Sequence, residues 1–503
     1  MSERSTHRSP VPAEAVEPRD ADGRSDASGT SGTPGTPGTS ASSSAPGSSG
    51  APTPSAAAPT SARRAAVLAG ISLGYFMVLL DTTVLSVAEP DLAASLRTST
   101  AGLQWATTGY TVVFAALLLS AGAAADRYGA ERLFRTGTAV FAGASLLSSA
   151  APDLGVLLAL RAVSGAAAAA CVPASMALIA RLYPQPAARA RAISVWAAVS
   201  GAAVAAGPIV GGALVGAAGW RAVFLVNVPL GLLVLALVHG DRVRGPRGGT
   251  RIDWPAQAAA VAVLALVTDT LIAAGSGART HAVVAACGLA VALTVFTVLE
   301  RRSDAPVLNR VLLRSAPVRA GLLAGAVTNF ALSGALFVLP LLLHRERHLT
   351  ALETGLAFLP LTVPFAANPP LTGRIVARTG PRTPILTGLG LLTAGGAVLA
   401  TGVLAEGPYL WLAAGLLLTG FGISFVLPAL VAAVIGAAPP GTAGSVGGLL
   451  NAVRQVGATL GVALMGAATH AGAGWSLVLS GGLCALAWLV FALTPGTAAP
   501  APA

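Results

Sequence analysis

Four ionisable side chains stand well inside long apolar runs of this chain: Asp81, Arg161, Asp269 and Arg454. A charged group at the centre of a membrane helix costs about 2.5–3.5 kcal/mol on insertion scales, so each needs a partner or a task. Counted at 1.5 Å per residue, Asp81 lies about 10 Å and Arg161 about 12 Å from the same face of the bilayer. An acid and a guanidinium at matching depth form a proton switch if a movement changes their separation or hydration, because burial and a nearby cation act on a carboxyl in opposite directions. The alternative is structural: Asp81 hydrogen-bonds helix backbone and Arg161 braces a neighbour. Asp269 either carries a second proton and draws in a cationic substrate, or sits in a wet outer crevice. Arg454 either meets substrate or anchors helices through a carbonyl or Asn451.

Other chemistry finds no support. The six histidines lie at run ends, in loops or in the N-terminal stretch, and Cys171, Cys287 and Cys484 are widely spaced inside apolar runs. Neither set has metal-ligand or redox spacing. No nucleophile–base pair or phosphate-binding glycine loop is present. The chain is therefore expected to be no enzyme, with no cofactor and no metal.

The elements that position these residues are membrane helices. Of 503 residues, 54% are hydrophobic and 10% charged, against about 25% charged in soluble domains; mean hydropathy is +0.73. Residues 1–62, rich in Ser, Gly, Pro and Thr, are expected to form a disordered tail. Fourteen apolar runs follow, at 65–88, 101–124, 133–151, 153–180, 190–217, 221–239, 255–275, 282–299, 319–343, 352–372, 384–404, 409–434, 443–468 and 476–494, each near the 20 or so residues a span needs. With the tail in the cytoplasm, eighteen arginines fall in inner loops, among them Arg242, Arg244, Arg247, Arg251 and Arg310, and five fall outside. This bias places both termini in the cytoplasm of a multi-pass cell-membrane protein. The net charge of +11 is spread along these loops, which argues against nucleic acid as a partner.

Two loops repeat one pattern, G-x-x-x-x-R-x-G. Gly122–Gly129 (GAAADRYG) follows the second run and Gly373–Gly380 (GRIVARTG) the tenth. The offset of eight runs, rather than six, predicts a duplicated six-helix unit with two inserted spans. The units are 63–239, an insert at 240–318, 319–494 and a short tail at 495–503. Gly122, Asp126, Arg127, Gly129 and Arg132 read as a conformational latch, Asp126 capping the third helix and pairing with the arginines, or as a topogenic basic loop. In GAAVAAGPIVGG, the small residues Gly201, Gly207, Gly211 and Gly212 allow close helix approach while Pro208 loosens the backbone. Trp105, Tyr110, Asn329, Phe330 and Asn368 are candidates to face a substrate cavity or to be packing residues.

Taken together, these segments resemble the fourteen-span drug/proton antiporter family of the major facilitator superfamily, and actinomycete antibiotic self-resistance exporters within it. Leu80–Pro90 (LDTTVLSVAEP) is similar to the first-span motif L-D-x-T-I-V-N-V-A-L-P, departing at Ser86 and Glu89. Gly122–Arg132 resembles the loop motif G-x-L-A-D-R-x-G-R-R, with Ala130 and Glu131 as departures. Arg161 and Gly165 match R-x-x-x-G of the fourth span, and Gly201–Gly212 the antiporter motif G-x-x-x-x-x-G-P-x-x-G-G. Trp220–Gly231 and Leu449–Gly461 are similar to the sixth- and thirteenth-span signatures. The resemblance implies an all-α major facilitator fold with two six-helix bundles, seventh and eighth spans inserted, and a cavity open to each side in turn. It further implies export of a hydrophobic drug against protons moved by Asp81, Arg161 and Asp269, by a monomer in the lipid bilayer. Transport of a native metabolite is the second reading.

Overall fold

A computed structural model describes residues 61–239, 253–303, 313–437 and 443–494. The expected tails at 1–60 and 495–503, and the loop arginines 242, 244, 247, 251 and 310, lie outside the described residues. Within them, all regular structure is helical, comprising seventeen α-helices and one 3₁₀ turn.

The first half of the chain forms α1 (Ser61–Leu96), α2 (Thr100–Tyr128), α3 (Ala130–Ser149), α4 (Leu154–Leu182), α5 (Pro186–Ala218), α6 (Ala222–Leu225) and α7 (Asn227–Leu237). Side-chain caps set the starts of two of them: Ser99 accepts from the Gly102 N–H, and Asp153 from the Val156 N–H at 2.9 Å. The first apolar run was expected to end at Ala88, yet α1 continues through Pro90 to Leu96. Proline removes one helical hydrogen bond, and a membrane helix buried among its neighbours tolerates the loss.

A hairpin of α8 (Trp254–Gly275) and α9 (Arg279–Arg302) separates the halves. Through α8 it packs on both α2 and the later helix α16 (Ala443–Ala468). An added Cβ on Gly275 would overlap Ala467, so this approach is tight. The outer helix presents Val283, Val284 and Val291 outward, each more than 60% exposed, as a lipid-facing helix does.

The second half adds α10 (Ala316–Arg347), α11 (Ala351–Ala357), α12 (Leu359–Ala367), α13 (Pro369–Thr379), α14 (Arg382–Leu404), α15 (Tyr409–Gly436) and α17 (Ala473–Leu493) around α16. α10 is buried along nearly its whole apolar length, against α15, α16 and α17 and against α1 of the first half. The repeated loop is visible in the backbone. Gly129 ends α2 at φ 92° and Gly380 ends α13 at φ 76°, a region open to glycine at no steric cost. Their N–H groups return to Ala125 and Val376 at 3.0 and 2.9 Å.

All fourteen apolar runs fold as helix, but not all as one straight span. Ten helices are long and apolar enough to cross a bilayer, and α2, bent by 63° between Leu118 and Ser120, makes eleven. α3 falls short because Glu131, Arg132 and Arg135 crowd its first turns. The run at 221–239 is a short apolar stretch, Ala222–Leu237. The run at 352–372 is cut into α11, α12 and α13, where Pro360, Pro364, Pro369 and Pro370 interrupt the backbone ladder.

Candidate functional site

Asp81 lies in the middle of α1 with 1% of its surface exposed, and Arg161 on α4 is 2% exposed. The two form an ion pair through Arg161 Nη1 and Asp81 Oδ2. The Nδ2 of Asn227, the first residue of α7, donates to the other carboxylate oxygen at 3.0 Å and reaches the Ser145 hydroxyl of α3 at 3.4 Å. Arg161 Nε donates to the Ala106 carbonyl of α2 at 3.2 Å. Its guanidinium also lies over the Tyr110 ring at 4.6 Å and over the Phe224 ring at 5.9 Å. Residues of six helices, α1–α4, α6 and α7, thus gather around one ion pair. A pair held this way offsets much of its desolvation, whereas deleting one partner would strand the other charge at about 3–5 kcal/mol.

The R-x-x-x-G spacing of α4 now has a geometric cause. Residues four apart share a helix face, so Gly165 stands one turn from Arg161. A Cβ there would overlap the Tyr110 carbonyl of α2. Glycine lets α4 close on α2, and that closeness delivers the guanidinium to both Ala106 and Asp81.

The glycine-proline stretch of α5 makes two adjacent small faces. On one, Gly207 meets Thr83 and Gly211 would place a Cβ 2.6 Å from the Val84 carbonyl, so α5 lies directly on the α1 segment that carries Asp81. On the other, Gly212 would place a Cβ 2.5 Å from the Ala351 carbonyl, and a Cβ on Gly355 would overlap the Pro208 carbonyl. This second face touches α11 of the opposite half. Gly201 takes no part, with open space around it.

The halves also meet at the neighbouring seam. Gln104 of α2 donates to the Val462 and Ala463 carbonyls of α16 at 3.1 and 2.8 Å, and Thr459 bonds Thr111 at 2.9 Å. Gln104 and Gly212 belong to the helix ends nearest the Arg97 and Gly219 loops, so the halves are in contact around that end of the molecule.

Arg454 on α16 holds a different environment. Its Nε donates to Asn329 Oδ1 and its Nη1 to Asn451 Oδ1, both at 3.2 Å. Across the seam, the Tyr75 phenol of α1 lies within its electrostatic range. Tyr75 itself stacks on Trp196 of α5 at 4.4 Å, nearly parallel. Arg454 is therefore anchored to both Asn329 and Asn451 and is only partly buried.

The remaining sequence candidates are placed as follows. Asp269 is not brought to the Asp81 network; its partner is His281 Nε2 of α9 at 2.9 Å, within the hairpin. Tyr110 is fully buried beneath Arg161, and Phe330 is a core residue. Asn368 donates to Ser424 at 2.8 Å and to Thr372 at 3.3 Å, inside the second half. Trp105 is partly exposed on α2. Asp126 does not cap α3: it is exposed in the last turn of α2, and Gly129 occupies the cap position. Arg127 instead lies over Tyr128 at 5.5 Å and Arg132 is exposed, while the ion pair near this loop joins Glu131 to Arg135 at 3.2 Å.

Two polar residues of this region were not singled out from the sequence. Asn227 sits inside the quoted stretch Trp220–Gly231, and its amide at a buried helix start was the available signal. Glu89 follows Ala88 in a stretch that reads as the end of a span, and the unbroken helix places it inside. It is 1% exposed, accepting from the Thr107 hydroxyl at 3.1 Å.

Comparison with known proteins fits this architecture. The family described as Major Facilitator Superfamily matches residues 71–462 and again 322–503. The Methylenomycin A resistance protein of Streptomyces coelicolor is 33% identical over 410 residues, covering 81% of this chain and 86% of that protein. The drug efflux pump JefA of Mycobacterium tuberculosis is 35% identical over 423 residues, covering 83% and 82%. Among solved structures, a bacterial homolog of the human lysosomal transporter Spinster superposes with a TM-score of 0.64 at 18% identity, covering 87% of this chain and 98% of that one.

Proposed function

The chain belongs to the Major Facilitator Superfamily, and we propose that within it this protein is a proton-coupled antiporter exporting a hydrophobic antibiotic or drug, cationic ones included. The observation that carries the reading is the buried Asp81–Arg161–Asn227 network, held on the same helix that the α5 glycine face packs against at Thr83 and Val84. The names of its relatives, a methylenomycin resistance protein and a drug efflux pump, support the cargo class. Asp81 takes a proton when its bond to Arg161 loosens and returns it when the pair re-forms. Because α5 touches both α11 and the Thr83–Val84 turn of α1, a shift between the halves is passed to the helix that carries Asp81.

In this reading the chain crosses the cell membrane fourteen times, with α2 as one bent span, Ala222–Leu237 as a short one and α11–α13 as a broken one. Both termini are cytoplasmic, as the loop arginines demand. The Gln104 and Gly212 contacts then close the outer end. The proton gradient is the energy source, and the monomer is the working unit.

The test is uptake of methylenomycin A into everted vesicles under an imposed pH gradient, with proton release followed on drug addition. Asp81→Asn should insert normally and lose gradient-driven transport. Unchanged uptake by that variant would refute the coupling role. Resistance to no drug in a pump-deficient host would instead favour a native metabolite as cargo.

A further inference from the structure

Glu89 is a buried acid that the exchange at Asp81 leaves unused. It stands eight residues beyond Asp81 on α1, about 12 Å along the axis toward the Arg97 loop. Oε1 accepts the Thr107 hydroxyl, and Oε2 is buried without any hydrogen-bond partner. The charged groups on and around α1 are engaged elsewhere. Asp81 and Arg161 hold one another, Asp91 accepts from the Trp220 N–H at 2.7 Å, and Arg221 donates to the Ala151 carbonyl and Ser95. Tyr110 lies under Arg161, Glu353 caps α11, and the charges of α10 are gathered at its last turn and at Arg319 of its first turn.

An ionised Glu89 would have one hydroxyl and no cation to offset the several kcal/mol of its lost hydration. A neutral carboxyl escapes that cost. Pro90 also brings no N–H to the Ser86 carbonyl one turn back. The surroundings that seal Glu89 are those that join the halves: α2 beside it carries Gln104 and Thr111, both bonded across to α16. Separating the halves at this end would wet the carboxyl.

We propose that Glu89 is a second proton-exchanging carboxyl of the transport cycle, loaded from water at the Arg97 end when that end opens and neutral while it is closed. The step forms one carboxyl O–H bond with a proton delivered by bulk water and transfers no electrons. α1 then holds two proton sites in series, Glu89 nearer the outside and Asp81 deeper. This rests on the reading of Asp81 as an exchange site, and the motif that Leu80–Pro90 resembles has leucine where Glu89 stands.

Infrared difference spectroscopy of the purified, lipid-reconstituted protein, titrated without drug, tests it. Wild type should show the carbonyl stretch of a protonated carboxyl at neutral pH, lost on alkaline titration. The band should be absent from both Glu89→Gln and Glu89→Leu, folding being checked by thermal melting, and should persist in Asp81→Asn. A band unaffected by either Glu89 variant, or one that never titrates, would overturn the proposal. Since no transport is measured, failure here leaves the Asp81 reading standing, and failure of vesicle transport leaves this one readable.

Discussion

Asp81 and Arg454 place a charge inside the two halves of one repeated fold, and the halves treat that charge in opposite ways. In α1–α7 the acid is matched by a guanidinium, an asparagine and a serine, all nearly excluded from solvent. In α10–α17 the guanidinium has two asparagine amides and stays partly open. The acids follow the same division. The first half buries Asp81, Glu89 and Glu131, whereas Glu346, Glu353 and Glu406 of the second half are all exposed near loops. A repeated backbone has thus been given titratable chemistry on one side and a fixed cation on the other. In the proposed exchange, the proton step and the contact with cargo need not share residues.

The strongest way to break that contrast is Arg161→Ala, which strands a buried carboxylate. It should lower stability by about 3–5 kcal/mol, read as a drop in melting temperature in detergent. Adding Asp81→Asn should restore most of the loss without restoring transport. Next comes the α5 surface. Gly211→Leu should abolish efflux by forcing α5 off the Val84 carbonyl, while Gly201→Leu, with open space around it, should remain near wild type. Arg454→Gln should act on cargo instead: apparent affinity for an exported drug falls about tenfold, in line with the ~1.5–3 kcal/mol of a charged hydrogen bond, while dependence on the pH gradient is kept. If Arg454→Gln removed the gradient dependence, the division between halves would collapse.

The smallest effect belongs to the hairpin. The Ser303 side chain and the Ala256 N–H bond the Asp253 carboxyl and hold it below the usual carboxylate range. A depressed acid stabilises above its unfolded value, so this contribution is present at neutral pH and fades as pH falls through the lowered folded value. Asp253→Ala should cost about 1 kcal/mol as a lost helix cap and leave transport unchanged.

Depth counting from the sequence brought Asp81 and Arg161 together, because helical rise is fixed and a lone buried ion is costly. The same argument could not find Asn227, whose amide carries no charge and so leaves no mark in a hydropathy pattern. Glu89 escaped for a different reason: Glu-Pro-Asp reads as a chain leaving the membrane, and only packing shows that α1 runs on to Leu96. The run at 352–372 was legible as apolar, but its division into α11–α13 depends on how neighbouring helices satisfy the carbonyls freed by its prolines. Asp126 as a cap of α3 failed because it lies three residues short of the cap position, where Gly129 at φ 92° turns the chain.

The α8–α9 hairpin makes the molecule lopsided toward lipid. α8 covers the seam of α2 and α16, while among the described residues no comparable pair covers the seam where α5 meets α11 and α12. Lipid therefore reaches the α5 seam directly while the hairpin stands between it and the α2–α16 seam, so the two seams have different surroundings when the halves shift.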